Sequence, residues 1–261
     1  MTPHLESGPR QPAPGRLPPG REVIAIGDVH GQRALLDCLL DGLLQRLAGH
    51  AEGSVEVVFL GDLVDRGPDS AGVLDRVAAA TRHGLGPARV HALMGNHEQM
   101  LRRALEHRPG AWEMFLGNGG LATARSLGAD AATPQAALAA MARALHGPRR
   151  RLLEDTLKSH HRVGDYLCVH AGIDPARRLA AHLARPWDEV EPRHWAWIRE
   201  PFLNRRAPFE GGVIAVHGHT PAQGPQLCAN RLGIDTGAAY DGPLSALWLK
   251  DDGLSVIQAV P

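Results

Sequence analysis

Five short apolar runs in this chain each lead into a loop built from glycine with aspartate, asparagine or histidine, and this recurrence limits the folds available. Glu22–Ile26 is followed by Gly27-Asp28-Val29-His30-Gly31, and Val55–Leu60 by Gly61-Asp62-Leu63-Val64-Asp65-Arg66-Gly67. Val90–Met94 is followed by Gly95-Asn96-His97-Glu98, Leu167–Val169 by His170-Ala171-Gly172, and Ile214–Val216 by His217-Gly218-His219-Thr220. Runs of this length rich in β-branched residues read as buried strands. After the first three, apolar residues recur at helical spacing over Arg33–Leu47, Ser70–Arg82 and His97–His107. Successive β-loop-α units predict an α/β domain with a largely parallel inner sheet. In such a sheet the loops leaving the carboxyl ends of neighbouring strands open onto one crevice, so residues far apart in sequence can meet there.

The rest of the chain fills in around that frame. A length of 261 residues suits one large domain or two small ones, and no linker divides it. Met1–Gly20, rich in proline and glycine, is read as a disordered tail, with residues 21–261 as the domain. Residues 111–159 carry Ala, Leu and Arg at helical spacing and are read as a helical insertion, broken at Asn118-Gly119-Gly120. Further strands are predicted at Tyr166–Val169, Val213–Val216, Gln226–Ile234, Leu244–Leu249 and Leu254–Val260, the last two joined by the turn Lys250-Asp251-Asp252-Gly253.

Charge and composition exclude several classes. With 28 Lys+Arg against 28 Asp+Glu there is no basic excess for nucleic acid or an anionic membrane. No apolar run approaches the roughly 20 residues that span a bilayer. Cys38, Cys168 and Cys228 stand singly, which supplies neither a disulfide framework nor a paired-cysteine metal clip and points to a reducing cytoplasm. The surplus is in histidine, 15 residues, several of them in the strand-end loops.

Carboxylate, amide and imidazole donors without thiolate suit Mn, Fe, Zn or Mg. Asp28 and His30 can grip one ion from the same loop. Asp62 can bridge to a second, completed by Asn96, His170 and His219. Two ions about 3.5–4 Å apart would deprotonate a shared water and clamp a phosphoryl group for in-line attack. His97, next to Asn96, is placed to protonate the leaving group, with Asp65 to orient its ring and hold its proton. Arg66 offers a planar grip on phosphate oxygens.

Together, GDVHG at 27–31, GDLVDRG at 61–67, GNHE at 95–98, HAG at 170–172 and HGHT at 217–220 resemble the calcineurin-like metallophosphoesterases, and within them the bacterial phosphoprotein phosphatases. The resemblance implies a β-sandwich flanked by helices with a dinuclear centre at the strand ends. It makes Asp28, His30 and Asp62 ligands of the first ion, and Asp62, Asn96, His170 and His219 ligands of the second. It further implies His97 as catalytic acid, Asp65 as its partner, Asn96, Arg66 and Arg199 as substrate contacts, and Mn2+ as the leading choice of metal. The activity implied is hydrolysis of phosphoserine and phosphothreonine monoesters in proteins by a metal-bridging hydroxide. The nearest rival is symmetrical dinucleoside tetraphosphate hydrolysis; Asp65 and Glu98 favour the protein phosphatase. His217 reads equally as a ligand or a packing residue, and Asp235 as a turn cap. Trp187, Trp195 and Trp197 read as core, and Arg149–Arg151 as a solvated helix start. Tyr240 is the nearest candidate for the aromatic that some family members place over the phosphate.

Overall fold

A computed structural model describes residues 2–129 and 133–261. Two sheets form its centre. The larger contains β1 (His4–Ser7), β2 (Gln11–Pro12), β3 (Glu22–Ile26), β4 (Val55–Phe59), β5 (Arg89–Ala92), β11 (Leu244–Lys250) and β12 (Gly253–Val260), in the order β1-β12-β11-β3-β4-β5 with β2 also on β12. The smaller has the order β6-β7-β8-β10-β9, from β6 (His160–Val163), β7 (Tyr166–Val169), β8 (Ile214–His217), β9 (Gln226–Leu227) and β10 (Arg231–Gly233). β3, β4 and β5 are parallel, as are β7, β8 and β10.

Alternation along the inner strands explains the layering. Val23 and Ala25 face the second sheet, meeting Tyr166, Cys168, Val216 and Leu232. Ile24 and Ile26 face the other way, onto Leu36, Leu39, Leu40 and Leu43 of α1 (Arg33–Leu47). Strands buried on both faces therefore read as continuous apolar runs. α2 (Ser70–His83) and α3 (Asn96–Leu105) complete the β-loop-α units. Between β5 and β6 the chain is mostly helical: α3, α4 (Ala111–Gly117), α5 (Gly120–Ser126), α6 (Pro134–Ala144), α7 (Gly147–Arg151) and a π-helical turn at Leu152–Thr156. Arg149 pairs with Asp75 and Arg150 with Glu154, so this arginine run is held on the surface.

Two expectations are corrected. The segment expected to be a disordered tail is instead bound to the sheet: β1 pairs antiparallel with β12 from His4↔Val260 to Ser7↔Ile257, covering an edge that would otherwise expose unpaired backbone groups. Farther on, Tyr166 Oη donates to Gly15 O at 2.8 Å. Backbone pairing of this kind needs no apolar pattern, which is why composition missed it. The strand expected over Gln226–Ile234 is two strands, β9 and β10, folded back on each other. Asn230 in the reversal donates its side-chain amide to Arg205 O and Ala207 O at 3.0 Å each, an arrangement unavailable inside a continuous ladder.

Candidate active site

The parallel strands deliver their loops to one end of the molecule. Asp28 and His30 follow β3, Asp62 follows β4, Asn96 and His97 follow β5, His170 follows β7, and His219 follows β8. All seven side chains are buried, none more than 5% exposed. Asp62 lies at the centre. Donor atoms of His30, Asp62 and His97 fall within 4.8 Å of one another, and so do those of Asp62, His170 and His219. Its Oδ2 is 3.6 Å from His30 Nε2, and its Oδ1 is 3.4 Å from His170 Nε2. Asn96 Oδ1 lies 3.1 Å from His170 Nε2 and 2.9 Å from His219 Nδ1. Asp28 stands outside both triplets and is held by the His219 backbone N–H, which donates to its Oδ2 at 2.9 Å.

The backbone is forced into this arrangement. Among the described residues, eight non-glycine residues have positive φ, and five of them are His30, Asp62, Asp65, Arg66 and His219. Left-handed backbone is costly for such side chains, so surrounding bonds must hold it. Asp62 O accepts from Val29 N at 3.0 Å and His30 N at 2.8 Å, and Gly67 N donates to His30 O at 3.0 Å, interlocking the first two loops. Gly95 is required by close approach, because a Cβ there would lie 2.1 Å from Asp62 Oδ1.

Three observations fit the site to divalent metal. First, each candidate ligand histidine contacts a backbone carbonyl through one ring nitrogen: His30 Nδ1 to Val64 O at 2.8 Å, His170 Nδ1 to Leu60 O at 2.9 Å and His219 Nε2 to Trp197 O at 3.1 Å. Donation there leaves the other nitrogen's lone pair facing inward, the arrangement of metal-binding histidines. Second, Asp28 Oδ1 is buried without a hydrogen-bond partner. Such an orphaned acceptor is costly unless a cation meets it. Third, the electrostatics call for positive charge. Burial opposes the charge on His170, yet Asp62 and Asp28 outweigh it and push the ring up to about 10. Burial likewise opposes the charge on Asp62, but His170, His97 and His30 together hold its carboxyl well below the usual range. His30, by contrast, is driven down to about 3 by burial. Burial and the nearby Asp235 raise Asp28 well above the usual carboxylate range.

Beside the donors, His97 Nδ1 lies 2.6 Å from Asp65 Oδ2, and Thr123 Oγ1 donates to Asp65 Oδ1 at 2.6 Å. Burial raises the Asp65 carboxyl, with the bonds from His97 and Thr123 drawing it back. Arg66 and Arg199 are exposed at the mouth. Arg66 Nη1 is 2.6 Å from His30 Nε2, and Arg199 Nη2 is 3.5 Å from His219 O. Tyr240, 61% exposed, lies beside Arg66, whose guanidinium carbon is 5.5 Å from the ring centre. His217 packs edge-on against Phe202 at 4.9 Å, and Asp235 caps its turn by accepting from Gly237 N at 3.0 Å. Of the tryptophans, Trp195 is fully in the core, while Trp187 and Trp197 are half-buried.

Sequence reasoning missed two structural supports. Glu98, 0% exposed, accepts from Asp62 N and Gly95 N at 2.9 Å each through Oε2, and from Leu63 N at 2.7 Å and Val64 N at 3.3 Å through Oε1. Its place three residues into a helix, the capping-box glutamate position, was the available signal. Thr123 comes from α5, so the helical insertion itself braces Asp65; Gly119 at its break accepts from Arg66 N at 3.2 Å. No local pattern points to either contact.

The family model for calcineurin-like phosphoesterases matches residues 22–257. The chain belongs to this family. It is therefore a hydrolase of the dimetal-dependent metallophosphoesterases, with the strand-end donors as its possible metal-binding groups. It is 30% identical over 232 residues to serine/threonine-protein phosphatase 1 of Salmonella typhimurium, covering 86% of this chain and 90% of that one. It is 28% identical over 246 residues to the asymmetrical bis(5'-nucleosyl)-tetraphosphatase PrpE of Bacillus subtilis, covering 90% and 94%. Both are phosphoprotein-phosphatase-type relatives. Among solved structures, the cold-active protein-tyrosine phosphatase of a Shewanella species aligns with a TM-score of 0.56 at 18% identity, over 94% of this chain and 83% of that one. That likeness speaks for the fold. Within the described residues, no helix is long and apolar enough to cross a membrane.

Proposed function

We propose that this metallophosphoesterase removes phosphate from phosphoserine and phosphothreonine side chains of cytoplasmic proteins. The observation that carries the reading is the Thr123–Asp65–His97 chain set against Asp62, together with the 30% identity to a serine/threonine phosphatase. A serine or threonine alkoxide is a poor leaving group, so its departure needs a proton. With Nδ1 bonded to Asp65, His97 presents Nε2, 3.9 Å from Asp62 Oδ2, to donate it. Arg66 and Arg199 at the mouth take the non-bridging phosphate oxygens, Arg66 leaving His30 as it turns to substrate, and Asn96 contributes a further polar contact. Asp28, His30 and Asp62 would hold one divalent ion, and Asp62, Asn96, His170 and His219 the other, with Mn2+ the first choice. When bound, the ions supply Lewis acidity at the phosphoryl oxygens and acidify the attacking water. No phosphorylated enzyme is required.

A second reading rests on the PrpE relatives: hydrolysis of dinucleoside tetraphosphates, in the asymmetrical sense those relatives carry rather than the symmetrical one expected from the motifs. The deciding experiment compares kcat/KM for phosphoserine peptides and diadenosine tetraphosphate in Mn2+, with and without chelator. Preference for the peptides supports the proposal. Preference for the dinucleotide, with ATP and AMP as products, replaces it with the second reading.

A further inference from the structure

A separate set of potential ligand atoms lies where β4, β5 and β6 meet. Glu56, His91 and His161 each offer one donor atom, all within 4.8 Å of one another. Glu56 Oε2 is 2.9 Å from His91 Nε2 and 2.7 Å from His161 Nε2, so both rings converge on one oxygen. The rings stack with centres 4.0 Å apart, and Arg21 takes the other Glu56 oxygen. Glu56 is 8% exposed at its side chain, His91 21% and His161 17%. None of the three serves the phosphatase site.

We propose that Glu56, His91 and His161 form a mononuclear site for a divalent transition-metal ion of the zinc class. Two imidazoles and one carboxylate are the protein share of a tetrahedral zinc site with one position left for water, and the partly exposed flank leaves room for that water. Bonds of about 2.0–2.2 Å place neighbouring tetrahedral ligands roughly 3.3–3.5 Å apart. The observed separations of 2.7 and 2.9 Å need to open by roughly 0.4–0.8 Å toward that value. The near-parallel rings must also splay about χ2 to aim both lone pairs at one ion. Bonding to His161 and His91 holds the Glu56 carboxyl far below the usual range, so it is anionic wherever neutral imidazole is present to bind metal. The lack of thiolate, with imidazole in the majority, favours Zn2+, Ni2+ or Co2+ over Mg2+ or Ca2+.

The position gives the ion a structural task. β5 ends the larger sheet and β6 the smaller, and they meet at the bridge Leu93↔Lys158. An ion held by Glu56, His91 and His161 pins these two edges just upstream of Asn96 and His97.

Equilibrium dialysis against Zn2+ tests this on the full chain. The wild type is expected to bind one more equivalent per chain than the His91→Gln/His161→Gln double variant, while both hydrolyse p-nitrophenyl phosphate. Equal stoichiometry overturns the site. Should the double variant not fold, ring 15N shifts of His91 and His161 are followed in the wild type during Zn2+ titration, assigned with the single variants. Movement of both Nε2 signals supports the proposal, and unmoved signals overturn it.

Discussion

Replacing Glu98 by Gln tests whether one carboxylate organises the Asp62 loop. The two Glu98 oxygens accept four backbone N–H groups, from Asp62, Leu63, Val64 and Gly95, at 2.7–3.3 Å. Gln presents one oxygen and one NH2, so in either orientation two of the four donors face another donor. Hydrogen bonds to a charged group contribute about 1.5–3 kcal/mol each, which sets the loss of two at roughly 3–6 kcal/mol. Burial, followed by the charge of Asp62, raises the Glu98 carboxyl, so removing its charge relieves part of that cost and the lower end applies. A stability loss of ~3 kcal/mol lowers Tm by roughly 6–12 °C in a chain near this size. Activity should fall further than stability, because Asp62, held at φ 52°, relaxes away from the donors around it. A displacement on the order of 1 Å costs about 100-fold in kcat. Thermal unfolding and p-nitrophenyl phosphate hydrolysis in Mn2+ measure both effects. The control is Glu154→Gln, which removes an exposed pair with Arg150 and should leave Tm and kcat at their wild-type values. A Glu98→Gln enzyme that matches this control in Tm and kcat refutes the reasoning.

The dyad predicts a leaving-group dependence: Asp65→Asn should lower kcat by about 10²–10⁴-fold on phosphoserine peptide but much less on p-nitrophenyl phosphate, whose leaving group needs little protonation. Equal losses on both would remove His97 from the acid role. Gly95→Ala drives a Cβ to within 2.1 Å of Asp62 Oδ1 and should cost roughly 1–3 kcal/mol while weakening Mn2+ binding; calorimetric titration giving the wild-type affinity contradicts it. His194 is held neutral by burial, then by the charge of Arg185, its value lowered from 6.5 to about 4. Between those values the unfolded chain binds the additional proton, so stability falls as pH falls, by ~1.4 kcal/mol per unit. Urea unfolding at about pH 7 and about pH 5 should show a slope that includes this share beside that of the other buried histidines, and His194→Gln should reduce it by that share. An unchanged slope in the variant assigns the pH response elsewhere.

The parts legible in the sequence were those carried by local pattern. Apolar runs ending at Ile26, Leu60, Met94, Val169 and Val216 marked strand ends, and the polar residues after them named Asp28, His30, Asp62, Asn96, His97, His170 and His219, which the fold brings to one end. Strand periodicity and turn chemistry act over a few residues, and a parallel sheet converts them into a shared crevice without further information. What depends on distance in space was decided by the tertiary structure alone. Thr123 reaches Asp65 across 58 positions, Glu98 gathers N–H groups from two loops, and the carbonyls of Leu60, Val64 and Trp197 choose which nitrogen each histidine turns inward. The pairing of His4–Ser7 with β12, the reversal at Asn230 and the meeting of Glu56, His91 and His161 belong to the same class. Hydrogen-bond partners and sheet edges are properties of the folded surface, and residue order limits them without naming them.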